Sequence, residues 1–435
     1  MHSPARTWRL VAAVSASALV LAACGGGEEE PDTAAPTTPD ASESAGAPAA
    51  GGEGDGTLTI GSLLPQTGNL AFLGPPEFAG VELALQEINE AGGVLGSDVA
   101  YLEGDSGDAQ QDVANPTVDR LLAANVDVII GAASSGVSFT VIDKITGAGV
   151  VHYSPANTSP DFTDYDDNGL YFRTAPSDVL QGRILGETML ADGCTSVGIL
   201  ALQDPYGEGL ATNVGSTVTD NGGTLAPAEA IFYDPAASNF DAQVNELAAA
   251  SPGCIVLIGF EESAKVIQSM VASNIGPQEV PLYLVDGNLG NALGTDLPAG
   301  LLEGTKGSLP GAEATPEFRE RLLSVDPALV DFSYAAESYD AVITSALAAI
   351  AAESDAGVDI AAELPGVTKD GEKCMTFAEC IALLEAGEDI DYDGISGPIE
   401  LSDAGDPTSA IVGIYNYGPD NKLTDQIDFQ PGTLE

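Results

Sequence analysis

Basic residues are scarce in this sequence of 435 residues, where 13 lysines and arginines stand against 66 aspartates and glutamates, a formal net charge of −53. Binding to nucleic acid needs a basic surface, and electrostatic docking on anionic lipid needs clusters of lysine or arginine, so neither is expected. The composition is typical of adaptation to high salt, in which counterions screen the repulsion between like charges. A merely acidic secreted protein is the alternative.

Histidine and the common catalytic motifs are also missing. The sequence has 2 histidines, and His152 is the only one beyond the N-terminal signal described below. It contains no H-E-x-x-H, no G-x-S-x-G, no P-loop G-x-x-x-x-G-K-[ST] and no strand-borne G-x-G-x-x-G. Because a lone histidine within a strand is more often structural than catalytic, we expect neither an enzyme nor a cofactor.

The 5 cysteines include no C-x-x-C pair, which argues against a zinc site. Cys24 is assigned to a lipid below, which leaves an even number of cysteines for an oxidising compartment. Cys374 and Cys380 lie close together in the sequence, and Cys194 and Cys254 each stand just before a predicted strand. We therefore predict the disulfides Cys194–Cys254 and Cys374–Cys380.

One segment matches a calcium-binding pattern. Residues 389–400 (DIDYDGISGPIE) fit the loop D-x-[DN]-x-[DN]-G-x₅-E in full. However, Gly397 and Pro398 followed by Ile399 and Leu401 predict the start of a strand, whereas an EF-hand needs a second helix there. We therefore predict no metal site.

No apolar run in the sequence is long enough to span a bilayer. The apolar run near the N-terminus, residues 10–21, is too short for this. It follows Arg6 and Arg9, so residues 1–23 are predicted to be an export signal. The sequence Leu-Ala-Ala-Cys at residues 21–24 resembles a bacterial lipoprotein processing box, in which Cys24 becomes the lipidated N-terminus. A cleaved secretory signal with a chance cysteine is the alternative. Residues 24–56, which contain almost no large apolar residue, are predicted to be a flexible tether.

Two successive predicted strands each end in a small, hydroxyl-rich loop. Residues 126–130 form a β-branched run that stops at Gly131, and the strand that begins at residue 150 leads into the loop 154–160. In an open parallel sheet, ligands lie outside the carboxyl ends of the strands. Free N–H groups, hydroxyls and a helix N-terminus suit a carboxylate, although ordinary turns also favour serine, glycine and proline.

Strands and helices alternate along the chain, which predicts an α/β fold with mostly parallel sheets flanked by helices. A new alternation begins near residue 174, which predicts a second lobe. We expect a signal at residues 1–23, a tether at 24–56, a first lobe at 57–174 and 306–400, and a second lobe at 175–305 and 401–435.

The order and the amino-acid sequences of the loops resemble the branched-chain amino-acid type of extracytoplasmic solute-binding protein, which is the receptor component of an ABC importer. The matching pieces are residues 65–68 (PQTG), 88–93 (INEAGG), 131–135 (GAASS), 154–158 (SPANT), 172–174 (FRT) and 206–210 (YGEGL). They lie in the right order behind a lipoprotein-like signal and a tether. The resemblance implies a type I periplasmic-binding-protein-like fold, in which three crossings join two lobes and the ligand is enclosed between them.

The resemblance also assigns site residues. It implies that the carboxylate and ammonium of an amino acid contact Ser135, the backbone of Ala156 and Thr158 in the first lobe. It implies a side-chain contact at Leu73. In the second lobe it implies that Tyr206 covers the ligand and that Asp286 pairs with the ammonium, which a buried cation needs.

One position departs from the family pattern. Aligned on its strand, Glu261 replaces a tyrosine that helps to hold the carboxylate, and a glutamate there would repel it. Three alternatives are open: Phe260 faces the ligand instead, or Glu261 binds a cationic amino acid or an amide-like solute, or both glutamates at 261 and 262 begin an exposed helix.

The implied function is the ligand-binding component of an ABC importer for branched-chain or other small amino acids, with permease and ATPase subunits as partners. The alternatives are a binding protein for amides, urea or another small solute, and a ligand-sensing receptor. A monomer is expected, attached to the outer face of the cell membrane by a lipid anchor.

The N-terminus provides the first test. We expect mass spectrometry of the mature protein to find a lipid-modified Cys24 at its N-terminus, because the processing box precedes a tether. An unmodified peptide that begins elsewhere would contradict the lipid anchor.

Overall fold

A computed structural model describes residues 54–312 and 314–434 of the chain. Cys24, the predicted signal and nearly all of the predicted tether lie outside these residues. Within them, no helix has both the length and the apolar character needed to cross a membrane.

The first sheet has five parallel strands in the order β2-β1-β3-β4-β5. The strands are β1 (Thr59–Leu63), β2 (Ala100–Leu102), β3 (Val128–Gly131), β4 (Val151–Ser154) and β5 (Tyr171–Arg173). The helices α1 (Gly74–Glu90), α2 (Ala114–Ala123) and α3 (Ser135–Gly147) connect its early strands. Every residue of β3 and β4 is buried, as expected for central strands that helices cover on both faces.

The second sheet is built around parallel strands with an antiparallel pair at one edge. Its order is β15-β14-β11-β10-β9-β6-β7, and β8 also pairs with β6. Its strands are β6 (Ser196–Leu202), β7 (Thr224–Leu225), β8 (Ile231–Tyr233), β9 (Cys254–Ile258), β10 (Leu282–Val285), β11 (Lys306–Pro310), β14 (Ser409–Asn416) and β15 (Asp428–Thr433). Its helices are α4 (Asp178–Ala191), α5 (Pro205–Asp220), α6 (Asp241–Ala250) and α7 (Ser263–Ala272). Each sheet with its helices forms one lobe.

The later helices return to the first lobe. They are α8 (Pro316–Val325), α9 (Ala335–Ala351), α10 (Gly357–Glu363) and α11 (Phe377–Glu385), followed by the small parallel pair β12 (Glu372–Cys374) and β13 (Ile390–Tyr392). α9 shares an apolar cluster with α1 and the first sheet. The two helices touch closely at Gly80, where an added Cβ would lie 2.2 Å from the carbonyl oxygen of Ala335.

The chain therefore passes between the lobes three times, and the two-lobed fold expected from the resemblance is confirmed. One predicted boundary is wrong. The first lobe was expected to resume at residue 306, but β11 pairs with β10 and β14 inside the second sheet. The return to the first lobe follows Pro310, because the hydrogen-bonded neighbours of a strand, rather than its sequence, decide its sheet.

A buried ion pair joins two of the crossings. Arg173, at the end of β5, donates from Nε to Oδ1 of Asp406 (2.6 Å) and from Nη2 to Oδ2 (3.0 Å). Its Nη1 donates to the carbonyl oxygen of Ser159 (2.7 Å). The Thr163 hydroxyl also donates to Asp406. Because the paired groups are buried and their hydrogen-bonding capacity is used, loss of either partner would leave an uncompensated charge.

Both predicted disulfides are confirmed. Cys194–Cys254 links the start of β6 to the start of its neighbour β9, with a Cα–Cα distance of 5.8 Å. Cys374–Cys380 links β12 to α11, with a Cα–Cα distance of 5.3 Å. Both distances lie in the range that disulfide geometry allows.

Two carboxyl groups are buried between α1 and α9. Glu77 is 0% exposed and Glu337 is 4% exposed. Burial, together with repulsion from Glu337, raises the pKa of Glu77 well above its usual range. Burial also raises the pKa of Glu337, to about 8. Glu337 is therefore largely protonated in the folded protein at neutral pH.

Replacing Glu337 with glutamine should make the melting temperature less sensitive to pH between pH 6.5 and 8.5. A folded-state pKa raised above the unfolded value stabilises the protein at low pH, and this stabilisation is lost as pH rises through about 8. The loss across this window is roughly 2 kcal/mol for one such group. Burial also raises the pKa values of Asp127 and Asp204 to about 7, so part of the pH dependence should remain.

The matched control is Glu320→Gln, because Glu320 is exposed on α8. His152, whose pKa burial lowers to about 3, affects stability with the opposite sign, and most of its effect lies below this window because an unfolded histidine titrates near 6.5. Equal pH slopes for Glu337→Gln, Glu320→Gln and the unmodified protein would contradict the prediction.

Candidate functional site

A small cavity lies where the carboxyl ends of both sheets face each other. Its volume is about 10 Å³, which is roughly the room that one water molecule needs. Its walls come from both lobes: Leu70, Leu73, Ala133, Ser134, Ser135, Ala156, Tyr206, Phe260, Asp286, Gly287 and Tyr334. The structure thus brings together Leu73, Ser135, Ala156, Tyr206 and Asp286, which are five of the residues that the sequence predicted.

The first-lobe wall consists of two loops that hydrogen bonds hold together. The Ser134 hydroxyl caps α3 by accepting from the Val137 N–H (3.3 Å). The Ser135 hydroxyl accepts from the Ser159 N–H (3.3 Å) and so keeps its own proton to donate. The Asn157 amide donates to the carbonyl oxygens of Ala132 (3.0 Å) and Ala133 (2.9 Å). The start of α3 and the Ser135 hydroxyl therefore offer a preformed donor surface at the cavity.

Thr158 was expected to contact the ligand, but it does not line the cavity in the structure. It is 1% exposed, and its carbonyl oxygen accepts from the Asp178 N–H at 2.7 Å. The loop turns after Ala156 and carries Thr158 behind the wall. Thr158 thus joins the first-lobe loop to the start of α4.

The second-lobe wall is centred on Asp286, the residue after β10. Its Oδ1 accepts from the Gln181 amide (2.7 Å) and the Tyr206 hydroxyl (2.9 Å), and its Oδ2 accepts from the Tyr334 hydroxyl (2.8 Å). Burial raises the pKa of Asp286, while these three donors oppose the rise. Among the described residues, Tyr334 is the side-chain donor to Oδ2, and a carboxylate oxygen can accept a second hydrogen bond.

Tyr206 is at the start of α5, where Asp204 caps the helix by accepting from the Gly207 N–H (2.8 Å). The Tyr206 ring stacks on that of Phe260, with centroids 5.6 Å apart and planes 8° apart. The two rings form an apolar surface beside the carboxylate of Asp286.

The structure corrects the expectation for Glu261. Its side chain is exposed and lines a neighbouring cavity beside Phe72, whereas Phe260 lines both that cavity and the cavity described above. The neighbouring Glu262 is turned inward, and its Oε1 accepts from the Phe260 N–H (2.9 Å) and the Tyr233 hydroxyl (2.9 Å). This turn directs consecutive residues to opposite sides, so Phe260 and not Glu261 faces the ligand position.

Sequence reasoning missed Gln181 and Tyr334, which both donate to Asp286. A sequence pattern could have indicated that Gln181 is buried, because this amide lies beside Leu180 and Ile184 on α4. All three residues are buried. No sequence pattern indicated the position of Tyr334, since that position depends on the left-handed backbone (φ 59°) that precedes α9.

In the segment that matches the calcium-binding pattern, residues 389–400, two aspartates form ion pairs with a lysine. The Lys373 ammonium lies 2.9 Å from Oδ2 of Asp391 and 2.8 Å from Oδ1 of Asp393. Asp340 accepts from the Ser396 N–H (2.7 Å), which fixes the end of the same loop. Within residues 54–312 and 314–434, no group of three or more histidine, cysteine, aspartate or glutamate side chains is placed to hold a metal.

The sequence of this chain is similar to those of known proteins. The profile of a family described as "Periplasmic binding protein" matches residues 57–403. The "Leu/Ile/Val-binding protein homolog 1" of Brucella suis is 27% identical over 319 residues, which is 72% of this chain and 83% of that protein. The "Leucine-, isoleucine-, valine-, threonine-, and alanine-binding protein" of Pseudomonas aeruginosa is 29% identical over 268 residues, which is 59% of this chain and 67% of that protein.

Solved structures share the fold. The leucine binding protein LivK of Thermotoga maritima superposes with a TM-score of 0.70 at 20% identity, covering 86% of this chain and 98% of that chain. LivJ of Streptococcus pneumoniae in complex with isoleucine gives 0.69 at 19% identity, covering 86% of this chain and 100% of that chain. A solute binding protein of R. palustris in complex with benzoate gives 0.68 at 19% identity, covering 87% of this chain and 98% of that chain.

Proposed function

Because this chain belongs to the periplasmic binding protein family, we propose that it binds a small amino acid, of the branched-chain type, for an ABC importer. One observation carries the proposal: a single cavity has hydroxyl and N–H donors on its first-lobe side and the partly open carboxylate of Asp286 on its second-lobe side. This is the pattern of charges that a zwitterion needs.

The first lobe receives the ligand carboxylate. The Ser135 hydroxyl has a proton to donate, and the N-terminus of α3, a helix of 13 residues, favours an anion. Ala156 also lines this side, and its N–H donates to the Ser154 hydroxyl (3.3 Å). Each charge-assisted hydrogen bond in such a dry site is worth about 1.5–3 kcal/mol.

The second lobe receives the ammonium. Oδ2 of Asp286 can accept a second hydrogen bond, and the carboxylate is desolvated, so a cation there replaces lost hydration. Leu70, Leu73 and the stacked rings of Tyr206 and Phe260 supply the apolar surface that an aliphatic side chain covers.

The volume of about 10 Å³ is too small for an amino acid. We therefore infer that the ligand enters when the lobes are farther apart and that the structure is the closed arrangement. Hinge closure around ligands is the usual motion of periplasmic binding proteins.

An aromatic carboxylate is the second candidate. It is supported by the likeness to a benzoate complex and by the aromatic pair Tyr206–Phe260, on which a ring would stack. Such a ligand has no cation for Asp286, so a change at this residue separates the two candidates.

Proteins of this family bind solutes outside the cytoplasm and are not enzymes. We extend this to a monomer that is anchored through Cys24 and docks on the permease of an importer with an ATPase subunit. A receptor that reports the same ligand to a sensor is the alternative use of this site.

Asp286→Ala should weaken the binding of leucine, isoleucine or valine by about 100-fold or more, because it leaves the ammonium without a counter-charge. Isothermal titration calorimetry on the folded variant and the unmodified protein measures this, with benzoate titrated in parallel. Amino-acid binding that survives Asp286→Ala unchanged would contradict the assignment. Binding of benzoate alone would favour the second candidate.

Phe260→Ala should weaken the same amino acid by about 10-fold or more, because it removes an aromatic wall of the cavity. Glu261→Gln is the neighbouring control and should leave the affinity within about twofold, since Glu261 is exposed outside the cavity. The reverse result in the same titrations would restore Glu261 as the recognition residue.

A further inference from the structure

A second and larger cavity lies directly beside the ligand cavity. Its volume is about 200 Å³, against about 10 Å³ for the ligand cavity. It lies between the loop before α9, the start of α8 and the second-sheet strands β11 and β14, with Phe332, Arg319, Asn291 and Tyr415 in its walls. A cavity of about 150 Å³ is enough for a benzene ring, so this one has room for an aromatic side chain.

Tyr334 is the wall between the two cavities. Among the described residues that line them, it alone lines both. It is 2% exposed, and its hydroxyl donates to Oδ2 of Asp286 at 2.8 Å. Its ring therefore ends the ligand cavity at the place where Asp286 would hold an ammonium.

The backbone at Tyr334 is unusual for so large a side chain. Its φ of 59° and ψ of 7° lie in the left-handed region, which bulky residues rarely adopt. Such a conformation persists only where the surroundings hold it, and it occurs preferentially at ligand sites. Here the hydrogen bond to Asp286 and the start of α9 hold the ring in place between the cavities.

We propose that Tyr334 sets the upper size limit of the ligand by closing the ligand cavity against the larger one, so that small aliphatic amino acids are accepted and aromatic ones rejected. This rests on the proposed function and adds the residue that determines specificity. The reason is spatial: a space of about 200 Å³, large enough for an aromatic side chain, lies on the far side of the Tyr334 ring from Asp286. Loss of the ring would join the two spaces.

Two substitutions separate the ring from its hydroxyl. Tyr334→Ala removes the wall, whereas Tyr334→Phe keeps the wall and removes only the hydrogen bond to Asp286. Isothermal titration calorimetry of leucine and phenylalanine gives the ratio of their affinities for each protein. A purely structural role would weaken both ligands alike and leave this ratio unchanged.

We expect Tyr334→Ala to shift the affinity ratio toward phenylalanine by at least about 10-fold relative to the unmodified protein. Tyr334→Phe should weaken both ligands but keep the ratio within about threefold. The inference is overturned if Tyr334→Ala keeps the original ratio, or if Tyr334→Phe shifts it as much as Tyr334→Ala does.

A crystal structure of Tyr334→Ala decides the matter without any amino acid. One continuous cavity that joins the two spaces supports the inference, and two cavities that stay separate overturn it. If the unmodified protein binds no amino acid, the proposed function fails, while the crystal structure still tests the wall formed by Tyr334.

Discussion

The buried carboxylate of Asp286 is the constraint around which the contact between the two lobes is built. Three donors converge on it: Gln181 from α4, Tyr206 from α5 and Tyr334 from the loop before α9. A desolvated charge costs several kcal/mol unless hydrogen bonds compensate it. Because Tyr334 precedes a first-lobe helix and Asp286 follows a second-lobe strand, this compensation is complete only when the lobes are together.

Three other buried carboxyl groups of this acid-rich chain illustrate two further outcomes. Asp406 pairs with Arg173 and joins two crossings between the lobes, so its charge is neutralised by an opposite charge. Glu77 and Glu337 form no ion pair within the described residues, and burial raises the pKa of each. With 13 basic residues available, protonation is the alternative to pairing for an acid that packing places in the core.

Much of the site could be predicted through the family resemblance, whose matching segments lie just after strands or at the starts of helices. Ser135, Ala156, Tyr206 and Asp286 come from four different strand ends, and a parallel arrangement brings such ends to one edge. Thr158 and Glu261 do not line this cavity for a common reason. Each follows a lining residue, Ala156 or Phe260, by one or two positions, and a turn of the loop directs the later side chain elsewhere.

The sequence by itself determined the elements, the pairing of the cysteines and the loops that meet at the cleft, because these follow from local periodicity and turn chemistry. Only the tertiary structure decided that β11 belongs to the second sheet, since strand pairing joins residues as far apart as Lys306 and Asn416. Only the tertiary structure decided that Phe260 and Tyr334 form walls of the cavity. Their positions depend on how two separately folded lobes approach each other, and no local pattern in either lobe encodes that contact.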